Sequence, residues 1–351
     1  MSQSALVVGA TGAVALRLVE RLLADGWTVV GLCRRPPATT SSARLVYVTA
    51  DLFDVEACTR ALRAAPPVSH VVYTARATHG ETGTESIPEN VAMLASTLDA
   101  VLPAARDLRH VHLVEGGKWY GLHLGPYPTP AREDDPRPST PNFYHAQEDL
   151  LRARQQGQPW TWSASRPNIL CDFAPGRARN LTAVVGAYAA VLRELGEPLH
   201  FPGNAARWHA LMEATDGTLL ADAIRFLMTD ARAANRAFNV SNGDVFRWER
   251  LWPRIAAHYG MRVGDVRHER LATVMRDKDA VWQRVVARFG LVPSTLDDVA
   301  AWPFGDFVFG MDHDIMSSTT RLREAGFHAV VDTEAMFLRQ LAQYREARIL
   351  P

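Results

Sequence analysis

An α/β fold with a doubly wound parallel sheet is predicted by two features of this 351-residue chain. Short apolar runs alternate with helical patterns through the first half, which is typical of helices that connect parallel strands and cover both faces of a sheet. The first apolar run, residues 5–8, leads directly into a glycine-containing turn and then a helical pattern. This order is typical of the first unit of a Rossmann fold. We therefore predict a Rossmann core with a smaller C-terminal substrate lobe.

The individual elements follow from the same apolar patterns. Strands are predicted at residues 28–32, 45–49, 70–73, 110–114, 161–166 and 237–240. Helices are predicted at residues 13–24, 54–64, 90–105, 143–155, 181–195, 217–228 and 248–259. The alternation loosens after Pro167. We therefore predict a dinucleotide-binding core over residues 1–180, to which residues of about 205–245 return, and a mainly substrate-binding lobe over residues 181–351.

The bulk composition argues against several classes of protein. Lys plus Arg and Asp plus Glu both number 38, and this balance does not favour nucleic acid or an anionic membrane as a partner. No apolar run reaches the length needed to span a membrane. The three cysteines, Cys33, Cys58 and Cys171, lack the spacing of metal ligands. We expect free thiols, a cytoplasmic location and no metal site.

The turn after the first predicted strand has the residues that a dinucleotide phosphate requires. Gly9 permits a tight turn, and Gly12 lets the backbone approach a pyrophosphate. The helix that follows offers unpaired N–H groups and the positive end of its dipole. We expect Gly9, Thr11, Gly12, Ala13 and Val14 to bind the cofactor; a tight turn without a ligand is the alternative.

The next strand ends indicate which dinucleotide is bound. Arg34 and Arg35 follow the second predicted strand, where NAD-selective enzymes commonly carry an acidic residue. Guanidinium groups pair with phosphate through charge-assisted hydrogen bonds, so this pair favours the 2′-phosphate of NADPH or NADP. Asp51 is equally compatible with a helix cap. Four further residues are expected to border the cofactor: Asp51, Leu52, Thr74 and Ala75.

Two segments carry residues suited to catalysis. Short-chain dehydrogenases place a tyrosine and a lysine four residues apart on a helix, and Tyr144 begins the corresponding predicted helix here. Glu148 occupies the position four residues later, so the usual lysine is absent. Lys118 instead follows the fifth predicted strand, from which an ammonium group can enter the same site.

This arrangement resembles the progesterone 5β-reductase and iridoid synthase group, an atypical branch of the extended short-chain dehydrogenases. The matching segments extend over nearly the whole chain: residues 9–15, 34–36, 117–120, 142–144 with 148–149, 165–167, 238–248 with 251–252, and 326–351. The resemblance implies NADPH-dependent reduction of a C=C bond conjugated to a carbonyl, with Tyr144 and Lys118 as the catalytic pair at the nicotinamide. It also implies that Ser165, Pro167 and Ile169 lie beside the nicotinamide, and that the protein forms a homodimer.

The residue types suit this reaction on a small-molecule enone. Hydride addition to the β-carbon leaves negative charge on the carbonyl oxygen, which a phenol can stabilise by donating a hydrogen bond. A nearby ammonium stabilises the same charge. Three alternatives remain open: a carbonyl reductase or alcohol dehydrogenase with the same pair, an NAD-dependent sugar-nucleotide epimerase or dehydratase, and a non-catalytic NADP sensor.

Two residues depart from the pattern of the plant members. Arg76 stands where those members tend to carry an aromatic residue, and Cys171-Asp172 replaces a common Gly-Phe pair. If Arg76 and Asp172 face the substrate, the substrate is more polar than a steroid. The two side chains are equally compatible with exposure or with pairing to each other.

Other conspicuous side chains are expected to serve the structure. An aromatic cluster favours the core of the C-terminal lobe over a substrate wall: Trp302, Phe304, Phe307 and Phe309. Three polar residues are expected to form turns, because Asn-Gly-Asp is strong turn chemistry: Asn239, Asn242 and Asp244.

Overall fold

The structure is a computed structural model that describes residues 3–37, 42–77 and 85–351. A parallel sheet lies at its centre. Within these ranges the sheet contains seven parallel strands: β1 (Ser4–Val8), β2 (Thr28–Cys33), β3 (Leu45–Thr49), β4 (His70–Tyr73), β5 (His110–Val114), β6 (Thr161–Pro167) and β7 (Arg236–Val240). Their order in space is β7-β6-β5-β4-β1-β2-β3. The chain reverses direction across the sheet between β1 and β4. Sheets of this type bind ligands at the carboxyl ends of the strands beside such a reversal.

Helices connect the strands and build the C-terminal lobe. The longer ones in the described ranges are α1 (Ala13–Ala24), α2 (Val55–Ala64), α3 (Ile87–Val101), α4 (Phe143–Gln155), α5 (Leu181–Leu195), α6 (Gly217–Leu227), α7 (Trp248–His258), α8 (Asp279–Phe289), α9 (Trp302–Gly310) and α10 (Thr333–Glu346). Shorter helices and strands lie at Gly117–Tyr120, Leu170–Cys171, Leu199–Phe201, Ala205–His209, Thr215–Asp216, Ala231–Ala233, Val263–Val266, Leu271–Val274, Leu296–Val299 and Thr320–Glu324.

Both faces of the sheet are covered, because successive strand residues point to opposite sides. In β1, Leu6 and Val8 pack into the layer formed by α2, α3 and α4. Ala5 and Val7 pack into the layer formed by α1 and α6. All four side chains are fully buried, which explains why the strand is a continuous apolar run rather than an alternating one.

The C-terminal lobe has a separate apolar core around α5. This helix is buried along most of its length and packs against α8, α9 and α10. Trp248 and Trp252 of α7 meet edge to face at 5.6 Å, and Phe309 of α9 lies 5.1 Å from Trp248. Two segments return to the Rossmann core, since α6 packs on α1 and β7 pairs with β6. The division of the chain at residue 180 stays a prediction.

The predicted fold class is confirmed, and the differences in element boundaries have local causes. Helix α3 begins at Ile87 rather than residue 90, because Ser86 caps it and accepts a hydrogen bond from Glu89 N. Helix α2 is capped by Asp54, which accepts from Ala57 N at 2.8 Å. The alternative interpretation of Asp51 as a helix cap is therefore wrong. In the described ranges no helix is long and apolar enough to cross a membrane.

Candidate active site

A groove crosses the carboxyl ends of the central strands. It consists of two neighbouring cavities of about 260 and 700 Å³. The smaller cavity lies among the loops that follow β1, β2 and β3, and the larger one extends towards β5, α4 and the C-terminal lobe. Five residues line both cavities: Gly12, Thr74, Ala75, Arg76 and Ala77. The groove is therefore continuous from the edge of the sheet to the lobe.

The turn between β1 and α1 has the form that the sequence predicts. Gly9 has a φ of 79°, and a Cβ there would lie 3.0 Å from Thr74 Oγ1 and 3.1 Å from the backbone of Ala75. Gly12 precedes α1, and no side chain caps the helix. The N–H groups at this helix start therefore face the groove without competition from a capping oxygen. Thr11 lines the smaller cavity, and Ala13 and Val14 line the larger one.

The smaller cavity has a cationic end. Arg34 lines it directly after β2, and Arg35 lies beside Arg34 on the exposed side of the same bend. Asp51 and Leu52 form the opposite wall. Asp51 Oδ1 accepts a hydrogen bond from Phe53 N at 3.1 Å, which fixes the turn after β3. Arg34, Asp51 and Leu52 together form this end of the groove.

The phenol of Tyr144 enters the larger cavity from the first turn of α4. Its hydroxyl lies close to the backbone of Gly116, where a Cβ would approach Tyr144 Oη to 3.2 Å. Burial raises the pKa of Tyr144 to about 12, although the charge of Arg76 partly opposes this effect. The phenol is therefore protonated at neutral pH and available as a hydrogen-bond donor.

Two side chains tie the start of α4 to the turn that carries Lys118. Asn142 caps α4 by accepting from Tyr144 N at 2.8 Å, and its Nδ2 donates to the carbonyl oxygen of Lys118, also at 2.8 Å. Three residues after Asn142, His145 Nε2 donates to the carbonyl oxygen of Trp119 at 2.8 Å. These bonds hold the backbones of Tyr144 and Lys118 at a fixed separation beside the same cavity.

The ammonium of Lys118 is paired with a carboxylate. Lys118 Nζ donates to Glu85 Oε1 at 2.7 Å and to Oε2 at 3.0 Å. The same carboxylate lies 3.6 Å from Arg76 Nη1. Lys118 Nζ also lies 5.5 Å from the ring centre of Phe307. Glu85 therefore fixes the ammonium at the cavity wall and offsets part of its charge.

A buried ionic network packs against the turn that carries Lys118. Arg166 Nε donates to Glu115 Oε2 and Arg166 Nη2 to Glu148 Oε2, both at 2.7 Å. All three side chains are almost completely buried. The guanidinium lies 3.5 Å from the ring centre of Trp119, the residue after Lys118. Glu148, at the position where ordinary short-chain dehydrogenases carry lysine, thus points away from the cavity and holds Arg166.

The remaining predicted residues are divided between the cavity wall and the interior. Pro167 and Ile169 line the larger cavity, and Ile169 has a φ of 33°, which is rare for a β-branched residue. Ser165 is fully buried, and its hydroxyl shares a hydrogen bond of 3.0 Å with His112 Nε2. Asp172 pairs with Arg17 at 2.9 Å, so the expected alternatives of exposure or pairing with Arg76 are wrong for Asp172.

The aromatic cluster serves two purposes. Trp302, Phe304 and Phe309 belong to the lobe core, and Phe307 packs against it. Phe304 and Phe307 also line the larger cavity, so part of this core forms cavity wall as well. In the described residues no group of three or more His, Cys, Asp or Glu side chains is arranged to hold a metal ion.

Several residues at the larger cavity were not predicted from the sequence, including three charged ones. Glu85 reaches Lys118 across 33 positions of the chain, and Arg177 and Arg179 line the cavity. Single charged residues in loops are common, and no local pattern distinguishes these three. The Asn142 side chain belongs to a segment that carried the family resemblance, and its cap could have been predicted from its position before a helix.

Comparisons with known proteins identify relatives that match almost the whole chain. The chain is 32% identical to "(S)-8-oxocitronellyl enol synthase" of Catharanthus roseus over 99% of this chain and 92% of that protein. It is 33% identical to "3-oxo-Delta(4,5)-steroid 5-beta-reductase" of Arabidopsis thaliana over 99% of this chain and 93% of that protein. The resemblance predicted from the sequence is confirmed.

The fold also recurs among solved structures. A short-chain dehydrogenase/reductase superfamily protein from Agrobacterium tumefaciens with bound NAD superimposes with a TM-score of 0.69 at 18% identity, over 99% of this chain and 98% of the other. A family model described as a PRISE-like Rossmann-fold domain matches residues 53–351. With these matches beside the Tyr144 and Lys118 site, the chain belongs to the PRISE-like Rossmann-fold family.

Proposed function

We propose that this protein is an NADPH-dependent reductase of C=C bonds conjugated to a carbonyl group. The observation that carries the proposal is the tie between Tyr144 and Lys118 through Asn142, which places a neutral phenol and an ammonium beside one cavity. The Arabidopsis relative is named as a reductase of 3-oxo-Δ4,5-steroids, which is this class of reaction. The phenol and the ammonium suit the charge that this reaction places on oxygen.

The groove suits NADPH as the cofactor. The open N-terminus of α1 and the close backbone approach at Gly9 and Gly12 would hold its diphosphate. Arg34 and Arg35 would hold the 2′-phosphate that distinguishes NADPH from NADH. NADPH, when bound, supplies the hydride.

The side chains of the chain act on the carbonyl oxygen of the substrate. Tyr144 donates a hydrogen bond to this oxygen as negative charge grows there, and its raised pKa keeps the proton on the phenol before reaction. Lys118 and Arg76 add positive charge beside the developing enolate. Glu85 holds the Lys118 ammonium in one position, so little reorganisation is needed during the reaction. Phe304 and Phe307 of the C-terminal lobe supply an apolar part of the cavity wall.

Turnover of a simple enone tests the proposal. The purified protein is mixed with NADPH and 2-cyclohexen-1-one, and the loss of the nicotinamide absorbance is followed. We expect the saturated ketone as the product; an allylic alcohol would instead indicate a carbonyl reductase. Absence of turnover over a varied panel of enones would contradict the proposal.

A pair of matched variants tests the role of the phenol. Tyr144→Phe should lower kcat by about 100-fold or more while the protein still binds NADPH, because only the donor to the enolate is lost. Tyr259→Phe is the control, since Tyr259 is buried in the lobe core and its hydroxyl has no hydrogen-bond partner in the described part of the chain. Equal activity of the two variants would remove Tyr144 from the mechanism.

Cofactor choice has its own test. Arg34→Ser should lower kcat/KM with NADPH by about tenfold or more and leave kcat/KM with NADH nearly unchanged, because only NADPH carries the 2′-phosphate. A parallel loss with both cofactors would contradict the assignment.

A homodimer and a cytoplasmic location stay predictions from the sequence. Light scattering of the purified protein measures the oligomeric state.

A further inference from the structure

The larger cavity carries more positive charge than its own acidic groups balance. Of the described residues that line it, four are cationic: Arg76, Lys118, Arg177 and Arg179. The acidic residue among these lining residues is Glu115, whose carboxylate turns into the interior and pairs with Arg166 at 2.7 Å. Glu85 reaches the cavity wall and pairs with Lys118 and Arg76. One carboxylate therefore faces four cations.

A dinucleotide bound in the groove would account for one end of this excess. Arg177 donates from Nε to the carbonyl oxygen of Thr11 at 2.9 Å, so it stands at the phosphate-binding turn. Arg34 and Arg35 stand beyond the same turn. The diphosphate and the 2′-phosphate of NADPH therefore meet cations that lie away from the phenol. Arg76, Lys118 and Arg179 remain around Tyr144 with Glu85 as their counter-charge.

Arg179 differs in its contacts from Arg76 and Lys118, which both form ion pairs with Glu85. It has no hydrogen bond or ion pair within the described ranges, and its guanidinium lies 4.6 Å from the ring centre of Phe304. Arg179 keeps an exposed part of its surface, but partial burial still lowers its pKa, and the nearby charge of Arg76 lowers it further, whereas the carboxylate of Glu85 acts in the opposite direction. Arg76 and Arg179 thus line the same cavity as the Tyr144 phenol, and within the described residues only Arg76 of the two has an ion pair.

We propose that the natural substrate carries a carboxylate or an equivalent oxyanion, which Arg179 binds together with Arg76 beside the reacting enone. This inference rests on the proposed reductase function. A guanidinium can bind a carboxylate through two parallel hydrogen bonds, which are stronger than hydrogen bonds between neutral groups. An anion at this position would give Arg179 a partner and would leave the phenol and Lys118 to the carbonyl oxygen.

A matched pair of substrates tests this inference. The acid 4-oxocyclohex-2-ene-1-carboxylate and its methyl ester share the enone and differ in the charge. We expect kcat/KM for the acid to exceed that for the ester by about tenfold or more, as expected for a hydrogen bond between charged groups. Arg179→Gln should abolish most of this ratio, and Arg179→Lys should retain part of it. Arg250→Gln, at an exposed position of α7, is the charge-matched control and should keep the full ratio.

A binding measurement separates this inference from the reductase proposal. Calorimetry with saturating NADP follows binding of the saturated acid, 4-oxocyclohexanecarboxylate, to the wild type and to Arg179→Gln. If neither enone is reduced but the acid still binds about tenfold more weakly to Arg179→Gln, the reductase proposal fails and the anion site stands. Two results would overturn the anion site: a wild-type ratio near one with equal binding to both proteins, or a loss of NADPH affinity in Arg179→Gln that affects both substrates alike. The second result would assign Arg179 to the cofactor.

Discussion

Replacing Gly117 by alanine should displace the turn that carries Lys118. The added methyl carbon would lie 2.8 Å from Asn168 Cγ, and closer still to Asn168 Oδ1 and Leu122 Cδ2. Non-bonded carbon atoms pack at about 3.5 Å or more, so the contact with Asn168 Cγ alone requires a movement of about 0.7 Å, and the nearer Leu122 Cδ2 requires a larger one. Asn168 is held in place, because its Nδ2 donates to Glu213 at 2.5 Å and to Ser317 at 3.1 Å. Most of the movement should therefore fall on the turn.

The consequence should be larger for activity than for stability. A displacement approaching 1 Å of a catalytic group can lower the rate by about 100-fold, whereas overpacking of this size costs about 1–3 kcal/mol. Enone-dependent NADPH oxidation and urea unfolding measure the two effects. Gly310→Ala is the control, because a Cβ at Gly310 meets no atom within 4 Å. If Gly117→Ala retains wild-type activity and stability, the close packing of the turn against Asn168 is not what positions Lys118.

Two further changes test the interior of the site. Arg166→Met should lower the free energy of unfolding by about 3–5 kcal/mol, because Glu115 and Glu148 lose their shared buried partner. Arg166→Lys should lower the free energy of unfolding by less than Arg166→Met does. Urea unfolding measures both, and a loss below about 1 kcal/mol in Arg166→Met would contradict the prediction. Burial lowers the pKa of His112 to about 3 in the folded protein. As the pH falls below about 6.5, the His112 imidazole is therefore protonated in the unfolded chain before it is protonated in the folded one. Stability should therefore decrease towards pH 3, by about 2 kcal/mol at pH 5 from this residue, and the pH dependence should be shallower in His112→Gln.

The fold was predictable because its signals are local. Apolar runs of about five residues mark the strands of a parallel sheet, and the glycine turn identifies the first βα unit. Asn239 shows where this approach ends. It was expected in a turn, but it lies in β7 and its amide oxygen accepts from Tyr120 Oη at 2.6 Å. Its amide nitrogen donates to the carbonyl oxygen of Ala131 at 3.0 Å, a partner 108 positions away that turn preferences cannot indicate.

The candidate site was predictable where its residues belong to compact motifs. Tyr144 and Lys118 each stand in a short segment with a recognisable place in the fold, and both line the larger cavity. The charges around them depend on distant parts of the chain. Glu85 pairs with Lys118 across 33 positions, and Asp172 pairs with Arg17 across 155. A sequence shows which charges exist, but the pairing among them follows from packing that brings separate loops together.

The buried residues beneath this site explain why no lysine lies four residues after Tyr144. That position faces Arg166, which is buried between Glu115 and Glu148 and lies under the ring of Trp119. A lysine at position 148 would place a second buried cation against Arg166 and remove one of the carboxylates that balance it. The ammonium must therefore reach the cavity from another element, and the turn after β5 supplies it. The same Arg166 packs against Trp119 in that turn, so the network that excludes lysine from α4 also supports the turn that carries Lys118.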